Sequence, residues 1–342
     1  MYMPEMSNRM IFIVGSPRSG STLLERMVSS HSDVLGGPEP HLLTPLAHLG
    51  YYATVDKAPY DHLRAVDAQR DYVATLPRGE EDYLDALRAY CFIAYGRKLE
   101  NTSKKRFLDK TPAYALILPF VSRVFPDAKY IVLTRHPGAI FSSYADSFFE
   151  GDWRAAHDYN PIIERYVPAI ARFLRSNSVP MIHVQYEKLV NDPESHMRRV
   201  CEGLELEFEP GMIEYGRKPP EQKGLGDPVG VDQHTRPVTS SVDKWVRTVL
   251  ADTEKEAMLR RMIEACDPED LAQWGYPEAT ILDPLDNPPP GSAPRGKRRA
   301  RKRLSAFRIQ RIILRRLRKN IHHNALGRVV RKVRFACDVL LR

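Results

Sequence analysis

Residues Ile11–Met27 read IFIVGSPRSGSTLLERM. Four apolar residues meet a glycine. After four intervening residues comes a second glycine, then a hydroxyl pair, then apolar residues at helical spacing. A fully apolar run this short is the pattern of a buried parallel strand. Gly15 and Gly20 let the backbone turn and approach a ligand closely, and the helix that follows offers its positive end and its free N–H groups to an anion. The stretch therefore predicts a strand, a phosphate-type loop and a helix over Ser21–Ser30, with Leu23, Leu24, Met27 and Val28 on one side. A nucleoside-triphosphate loop would place a lysine after the second glycine, with a hydroxyl for Mg²⁺ beyond it. Ser21 stands there instead, and Arg18 lies inside the loop. A guanidinium gives forked hydrogen bonds to a tetrahedral anion. The loop is suited to an anion, but not to a magnesium triphosphate.

Working outward, the same alternation repeats. Arg106–Asp109 (RFLD), Tyr130–Thr134 (YIVLT) and Met181–Gln185 (MIHVQ) are further strand candidates. Between them, Pro112–Phe125 reads as a helix closed by Pro126, HPGAIFSSY opens another with Pro137 in its first turn, and residues 152–176 carry one long helical pattern. Asp192 is a cap for a helix running through Cys201, and Ser241–Leu250 and Thr253–Cys266 are helical again. Residues 40–100 read as several helices joined by tyrosine-rich connections. Pro219–Thr239 is a long Pro/Gly-rich loop, of the kind that is functional or disordered inside a domain. Strands alternating with helices predict an α/β fold: a P-loop-type parallel sheet flanked by helices.

Charge divides the chain into three parts. The net charge is +8, yet Arg295–Arg342 alone carries eighteen Lys and Arg against one acid, Asp338. The remainder holds 33 basic and 42 acidic residues. The expected organisation is a mildly acidic domain over 1–282, a Pro-rich linker over 283–296 (DPLDNPPPGSAPRG), and a basic amphipathic tail over 297–342. In the tail, Phe307, Ile313, Leu314, Leu317 and Ile321 recur at helical spacing among arginines, which suits an anionic membrane surface. Nucleic acid is the competing partner, although no base-reading module is present, and packing of the apolar stripes on the domain is the third reading. Cys91, Cys201, Cys266 and Cys337 are scattered without a CxxC pair, which excludes a disulfide framework and a zinc cluster and points to a reducing compartment. No apolar run reaches the length of a membrane span, and MYMPEMSNRM holds no apolar signal core. A cytoplasmic protein is expected, with peripheral contact at the inner membrane face through the tail.

Three segments together carry a resemblance. GSPRSGSTLL, LDKTPAY and KYIVLTRHPGAIFSSY resemble the sulfotransferases that use 3′-phosphoadenylyl sulfate (PAPS), and more closely the bacterial and tyrosylprotein members than the small-phenol enzymes. The likeness covers residues 10–280. It implies PAPS as co-substrate, no metal, and Arg18, Ser19, Gly20, Ser21 and Thr22 around the 5′-phosphosulfate. It implies Arg135 and Ser143 at the 3′-phosphate; Arg135 ends a buried strand, where α/β folds bind ligands, and Ser143 lies two turns into the next helix. VQYEKLVNDP implies Tyr186 at the adenine, and PVGVDQHTRPV followed by DKW implies a late loop over the nucleotide, with Arg236 and Lys244 adding positive charge.

For the chemistry, the resemblance implies Glu39, in HSDVLGGPEP, as the general base that takes the acceptor proton, and Lys110, in LDKTP, as the cation at the leaving oxygen. Arg18 steadies the sulfuryl oxygens. His41 is a second candidate base. The chain departs from its kin in having Pro38 before Glu39, Thr111–Pro112 where phenol enzymes carry a histidine, and Val229–Gly230 where tyrosylprotein relatives have an assisting serine. The acceptor hydroxyl stays open among sugar, glycolipid or other lipid-linked alcohol, phenol, peptide tyrosine and natural product. Two other classes remain: a nucleoside or small-molecule kinase on a related fold, opposed by the missing loop lysine, and a non-catalytic membrane or nucleic-acid adaptor.

Overall fold

The computed structural model describes residues 8–37, 39, 43, 46, 69–100, 102–217 and 234–288. Its centre is a five-stranded, wholly parallel sheet: β1 (Met10–Gly15), β2 (Val34–Leu35), β3 (Arg106–Asp109), β4 (Lys129–Thr134) and β5 (Met181–Gln185), in spatial order β2-β3-β1-β4-β5. Every residue of β1 is buried. Alternate side chains serve opposite layers, Met10, Phe12 and Val14 on one face and Ile11 and Ile13 on the other. This is why the strand reads as an unbroken apolar run instead of an alternating one. Tyr130 and Val132 continue the first layer, Ile131 and Leu133 the second.

The second face carries α1 (Ser21–Ser29), α7 (Tyr186–Asn191) and α8 (Pro193–Leu204). Asp192 caps α8, accepting from the Ser195 N–H at 3.2 Å. The first face is thicker. It buries α2 (Glu80–Leu99), α3 (Leu118–Val124), α4 (Pro137–Phe149), α5 (Trp153–Tyr159) and α6 (Ile162–Ser176), joined late in the chain by α9 (Lys244–Leu250), α10 (Thr253–Glu264) and α11 (Pro268–Trp274). Two short helices, α12 (Glu278–Ile281) and α13 (Asp283–Asp286), close the described chain.

Several boundaries differ from those read off the sequence, each for a local reason. The helical pattern of residues 152–176 is split, because Pro161 holds Asn160 in extended backbone and disfavours helix before it. The helix expected over Pro112–Phe125 begins as a 3-10 turn, Pro112–Leu116, and restarts after Ile117 as α3, whose first turn holds Pro119 with no N–H to give. β2 escaped notice, since two residues show no periodicity. The expected linker begins too early: Asp283–Asp286 is helical, Leu285 is fully buried, and Asp286 pairs with Arg260 at 2.7 Å. His41, residues 218–233 of the late loop, the Pro-rich stretch from 289, and the basic tail lie outside the described residues. Cys91, Cys201 and Cys266 are buried free thiols. Among the described residues no helix is long and apolar enough to cross a membrane.

Sheet order locates the crevice. From β1 the chain leaves toward β2 on one side, and from β4 toward β5 on the other. The carboxyl ends of β1 and β4 thus form a topological switch point, where open α/β sheets bind ligands. The loop with Arg18 follows β1, and Arg135 follows β4.

Candidate active site

The loop after β1 is built to turn N–H groups inward. Arg18 (φ 68°) and Gly20 (φ 97°) both adopt the left-handed region, and the Ser19 N–H closes a turn onto the Ser16 carbonyl at 3.1 Å. A side chain at Gly20 would be doubly wrong: its φ disfavours one, and a Cβ there would lie 2.4 Å from the Tyr186 ring. Gly20 caps α1 without a side-chain acceptor, which leaves the first-turn N–H groups to a ligand. The hydroxyls of Ser16 and Ser19 are buried and have no hydrogen-bond partner among the described residues, and the same is true of Arg135 Nε. Buried polar atoms are normally satisfied. Two hydroxyls and a guanidinium N–H left over around one glycine-rich loop fit an anionic group seated there.

Arg135 is 8% exposed. Its Nη1 donates to the Arg18 carbonyl at 3.1 Å and its Nη2 to the Ser241 carbonyl at 2.9 Å, while the guanidinium lies 4.2 Å from the centre of the Tyr186 ring. Tyr186 in turn bonds the Ser241 hydroxyl at 2.7 Å. Arg18 Nε donates to Ser143 Oγ at 3.1 Å, tying the loop to the second turn of α4. Arg18, Ser143, Arg135 and Tyr186 therefore form one cluster.

The backbone behind Arg135 is pinned by aromatic and acidic groups that the sequence did not advertise. Trp274 Nε1 donates to the Arg135 carbonyl at 2.9 Å. Glu187 accepts from the His136 N–H at 3.1 Å and from the Tyr276 hydroxyl. His136 accepts the Gly138 N–H at Nδ1, donates from Nε2 to the Ile281 carbonyl at 2.7 Å, and stacks on Trp245 with ring centres 4.2 Å apart. That pattern requires a neutral imidazole, and burial pushes His136 down to about 4, with the Arg135 charge adding to the effect and the Ile281 bond opposing it.

On the other side of β1, Lys110 leaves the end of β3 into a buried position, 3% exposed. Its Nζ lies 2.5 Å from Glu39 Oε1 and 3.5 Å from Thr22 Oγ1. Asp109, fully buried beside it, accepts from Tyr95 at 2.7 Å, Thr111 at 3.0 Å and Tyr114 at 3.2 Å. Burial, and then the Asp109 charge, push both phenols up, so they remain donors. Tyr114 also accepts the Leu43 N–H at 2.9 Å, a bond that anchors the segment bearing Glu39 to the strand end bearing Lys110. The acid in LDKTPAY was the available sign of this anchor.

Of the expected site residues, Arg18, Ser19, Gly20, Ser21, Thr22, Glu39, Lys110, Arg135, Ser143 and Tyr186 thus lie around one crevice. Arg236 and Lys244 are both exposed, and the described contacts to the cluster from that part of the chain are made by Ser241, three residues before Lys244. Among the described residues no group of three His, Cys, Asp or Glu is placed to hold a metal.

Comparison with known proteins agrees with this fold. The model of the sulfotransferase family matches residues 10–210, from β1 past the end of α8. Nodulation protein NoeE of Sinorhizobium fredii is 29% identical over 217 residues, covering 56% of this chain and 49% of its own. Protein-tyrosine sulfotransferase A of Caenorhabditis elegans is 24% identical over 269 residues, covering 74% of this chain and 66% of its own. The chain thus spans about half the length of the first relative and about two thirds of the second. In fold, the sulfotransferase domain of the Synechococcus PCC 7002 olefin synthase superposes with a TM-score of 0.50 at 24% identity, over 69% of this chain and 86% of that one. The matched segment contains the loop of Arg18, Glu39, the strand ends of Lys110 and Arg135, and Ser143 and Tyr186, and the chain belongs to the sulfotransferase family.

Proposed function

We propose that the protein moves a sulfuryl group from PAPS to an acceptor hydroxyl, with Glu39 as general base. The observation that carries the reading is Lys110: a buried ammonium set between a carboxylate and the hydroxyl that follows the anion loop. The Ser16–Thr22 loop and the N-terminus of α1 would hold the 5′ phosphosulfate. Arg135 and Ser143 would hold the 3′-phosphate, and Tyr186 the adenine.

In the transfer, Glu39 takes the acceptor's proton as the acceptor oxygen bonds to sulfur. The bond from sulfur to the bridging oxygen breaks in line, and that oxygen keeps the electron pair. Lys110 neutralises the charge left on it, and Arg18 steadies the equatorial oxygens. Positioning and charge stabilisation supply most of the rate in such transfers. Without donor, Lys110 and Glu39 neutralise each other across 2.5 Å. A bridging oxygen that draws the ammonium away frees the carboxylate, which favours binding of donor before acceptor.

The acceptor is read as a small-molecule or lipid-linked hydroxyl. The helix-spaced apolar residues among the tail's arginines support contact with an anionic membrane surface, which co-sedimentation with phosphatidylglycerol vesicles would test. The central test has two parts. PAP, the adenosine 3′,5′-bisphosphate left when PAPS gives up its sulfuryl group, should raise the melting temperature where ATP–Mg²⁺ does not. Labelled PAPS, incubated with lipid and carbohydrate extracts, should label a product, and Glu39→Gln should slow that transfer by about 10²–10⁴-fold while PAP still binds. Stabilisation by ATP–Mg²⁺ alone would reject the donor, and transfer undiminished in Glu39→Gln would reject the base.

A further inference from the structure

β4 and β5 pair in register up to Thr134 opposite Gln185. The ladder stops there, but side chains carry the correspondence two positions further. The Arg135 guanidinium lies over the Tyr186 ring at 4.2 Å, and the His136 N–H donates to Glu187 Oε1 at 3.1 Å. Three consecutive residues at the end of α11 then fasten both strand ends. Trp274 Nε1 donates to the Arg135 carbonyl at 2.9 Å, the Gly275 carbonyl accepts from Gln185 Nε2 at 2.7 Å, and the Tyr276 hydroxyl donates to Glu187 Oε2. The local backbone is shaped for this. Gly275 ends the helix in the left-handed region (φ 96°), the Tyr276 N–H returns to the Leu271 carbonyl at 3.0 Å, and a Cβ on Gly275 would collide with Gln185 Nε2.

Neither Glu187 nor Tyr276 has a part in the proposed transfer. Glu187 nevertheless gives one oxygen to the backbone next to Arg135 and the other to Tyr276, whose ring also meets the His136 ring edge-on with centres 5.5 Å apart. Burial, and then the Glu187 charge, push the Tyr276 phenol up, so it stays a donor. Arg135 itself has two nitrogens committed to the Arg18 and Ser241 carbonyls, and its Nε is buried without a partner among the described residues. The direction of that N–H follows the backbone at 135 and 136, which is the part that the Tyr276–Glu187 pair holds. A guanidinium already aimed needs little ordering when an anion arrives.

We propose that Glu187 and Tyr276 are positioning residues that aim Arg135, so that the preference for a nucleotide carrying a 3′-phosphate over one lacking it depends on a hydroxyl contact behind the site. The proposal rests on the reading of Arg135 at the 3′-phosphate. Without the Tyr276 hydroxyl, one Glu187 oxygen loses its donor, and the carboxyl is free to leave the His136 N–H. The strand end then loosens where Arg135 begins. The 5′ side would be held by other groups, the Ser16–Thr22 loop and the N-terminus of α1, so the loss falls on the 3′-phosphate.

The test is calorimetry on the full chain with two ligands, PAP and adenosine 5′-phosphate, which lacks the 3′-phosphate. Tyr276→Phe should weaken PAP about 3–10-fold and adenosine 5′-phosphate less than about 2-fold. Glu187→Ala should widen that difference. In an Arg135→Ala background, Tyr276→Phe should weaken PAP no further, because the two residues act through one contact. If Glu187→Ala does not fold, Tyr276→Phe, which removes a single oxygen atom, decides alone. The proposal is overturned if Tyr276→Phe leaves PAP affinity unchanged, if it weakens both ligands equally, or if its effect persists without Arg135. In each of those cases the reading of Arg135 still stands. Arg135→Ala that keeps the wild-type preference for PAP removes that reading, whatever Tyr276→Phe does.

Discussion

The two sides of β1 hold their cations in opposite ways. Toward β4, Arg135 is fastened by backbone carbonyls, an aromatic face and a tryptophan behind it, and the next residue, His136, is buried neutral. Toward β3, Lys110 is held by a carboxylate, with a second buried carboxyl nearby and hydroxyls around Asp109 below. The first arrangement is preorganised: nothing in it must change charge for an anion to bind. The second is self-neutralised, so its groups must trade partners during turnover. On the proposed reading binding and chemistry are thus separated across one strand, and substitutions on the two sides should fail differently.

The largest effect is expected at Lys110. On the proposed mechanism Lys110→Met removes the charge at the leaving oxygen and strands Glu39, so transfer should fall about 10²–10³-fold. PAP affinity should change little, as calorimetry would read. A comparable loss of PAP binding would erase the division between the two sides.

Arg135→Ala is the converse. It should weaken PAP about 10–100-fold, the worth of a charge-assisted contact to phosphate, while turnover at saturating donor stays within a few-fold. If turnover drops more than affinity, Arg135 belongs to the chemistry and the comparison needs redrawing.

The smallest effect concerns acid. His136 and His183 are both pushed by burial from 6.5 down to about 4; His183 also meets Thr134 Oγ1 at 2.9 Å. The unfolded chain binds these protons first, so stability is intact above pH 6.5 and is lost as pH falls toward 4. For His136 the loss is on the order of 3 kcal/mol. Glu25, buried on α1 and pushed by that burial from 4.5 up to about 7, runs the other way, its contribution being present below about 4.5 and lost as pH rises through about 7. Thermal melts across pH 4–8 should therefore show the nucleotide side weakening in acid. His136→Asn, which keeps an acceptor near the Gly138 N–H but cannot be charged, should flatten the acid limb at some cost at neutral pH. An acid limb unchanged in that variant would show that the carboxylates alone set it.

Much of the site was legible because its parts are local. A glycine-rich turn between an apolar strand and a helix announces an anion loop wherever it occurs, and Lys110 and Arg135 each follow a strand by one residue, so their direction is fixed by the strand's end. Glu39 was legible through its surroundings, HSDVLGGPEP, and through resemblance. Ser241, Glu187 and Trp274 were not. Each acts on a partner far along the chain, such as Trp274 on Arg135 or Glu187 on the His136 N–H, and no spacing in the sequence encodes such a meeting. Ser241 shows the limit from the other side: charge made Arg236 and Lys244 stand out in the late loop, while the described contacts to Arg135 and Tyr186 come from the uncharged Ser241.

By itself, then, the sequence determined which segments become strands and helices and which short motifs carry anion-binding groups, since these follow from hydrophobic period and backbone stereochemistry within a few residues. Only the tertiary structure decided which side chains share a dielectric and a charge. Parallel strands 2-3-1-4-5 bring together residues a hundred positions apart, and burial, a property of the packed molecule, then determines which of them keep a proton.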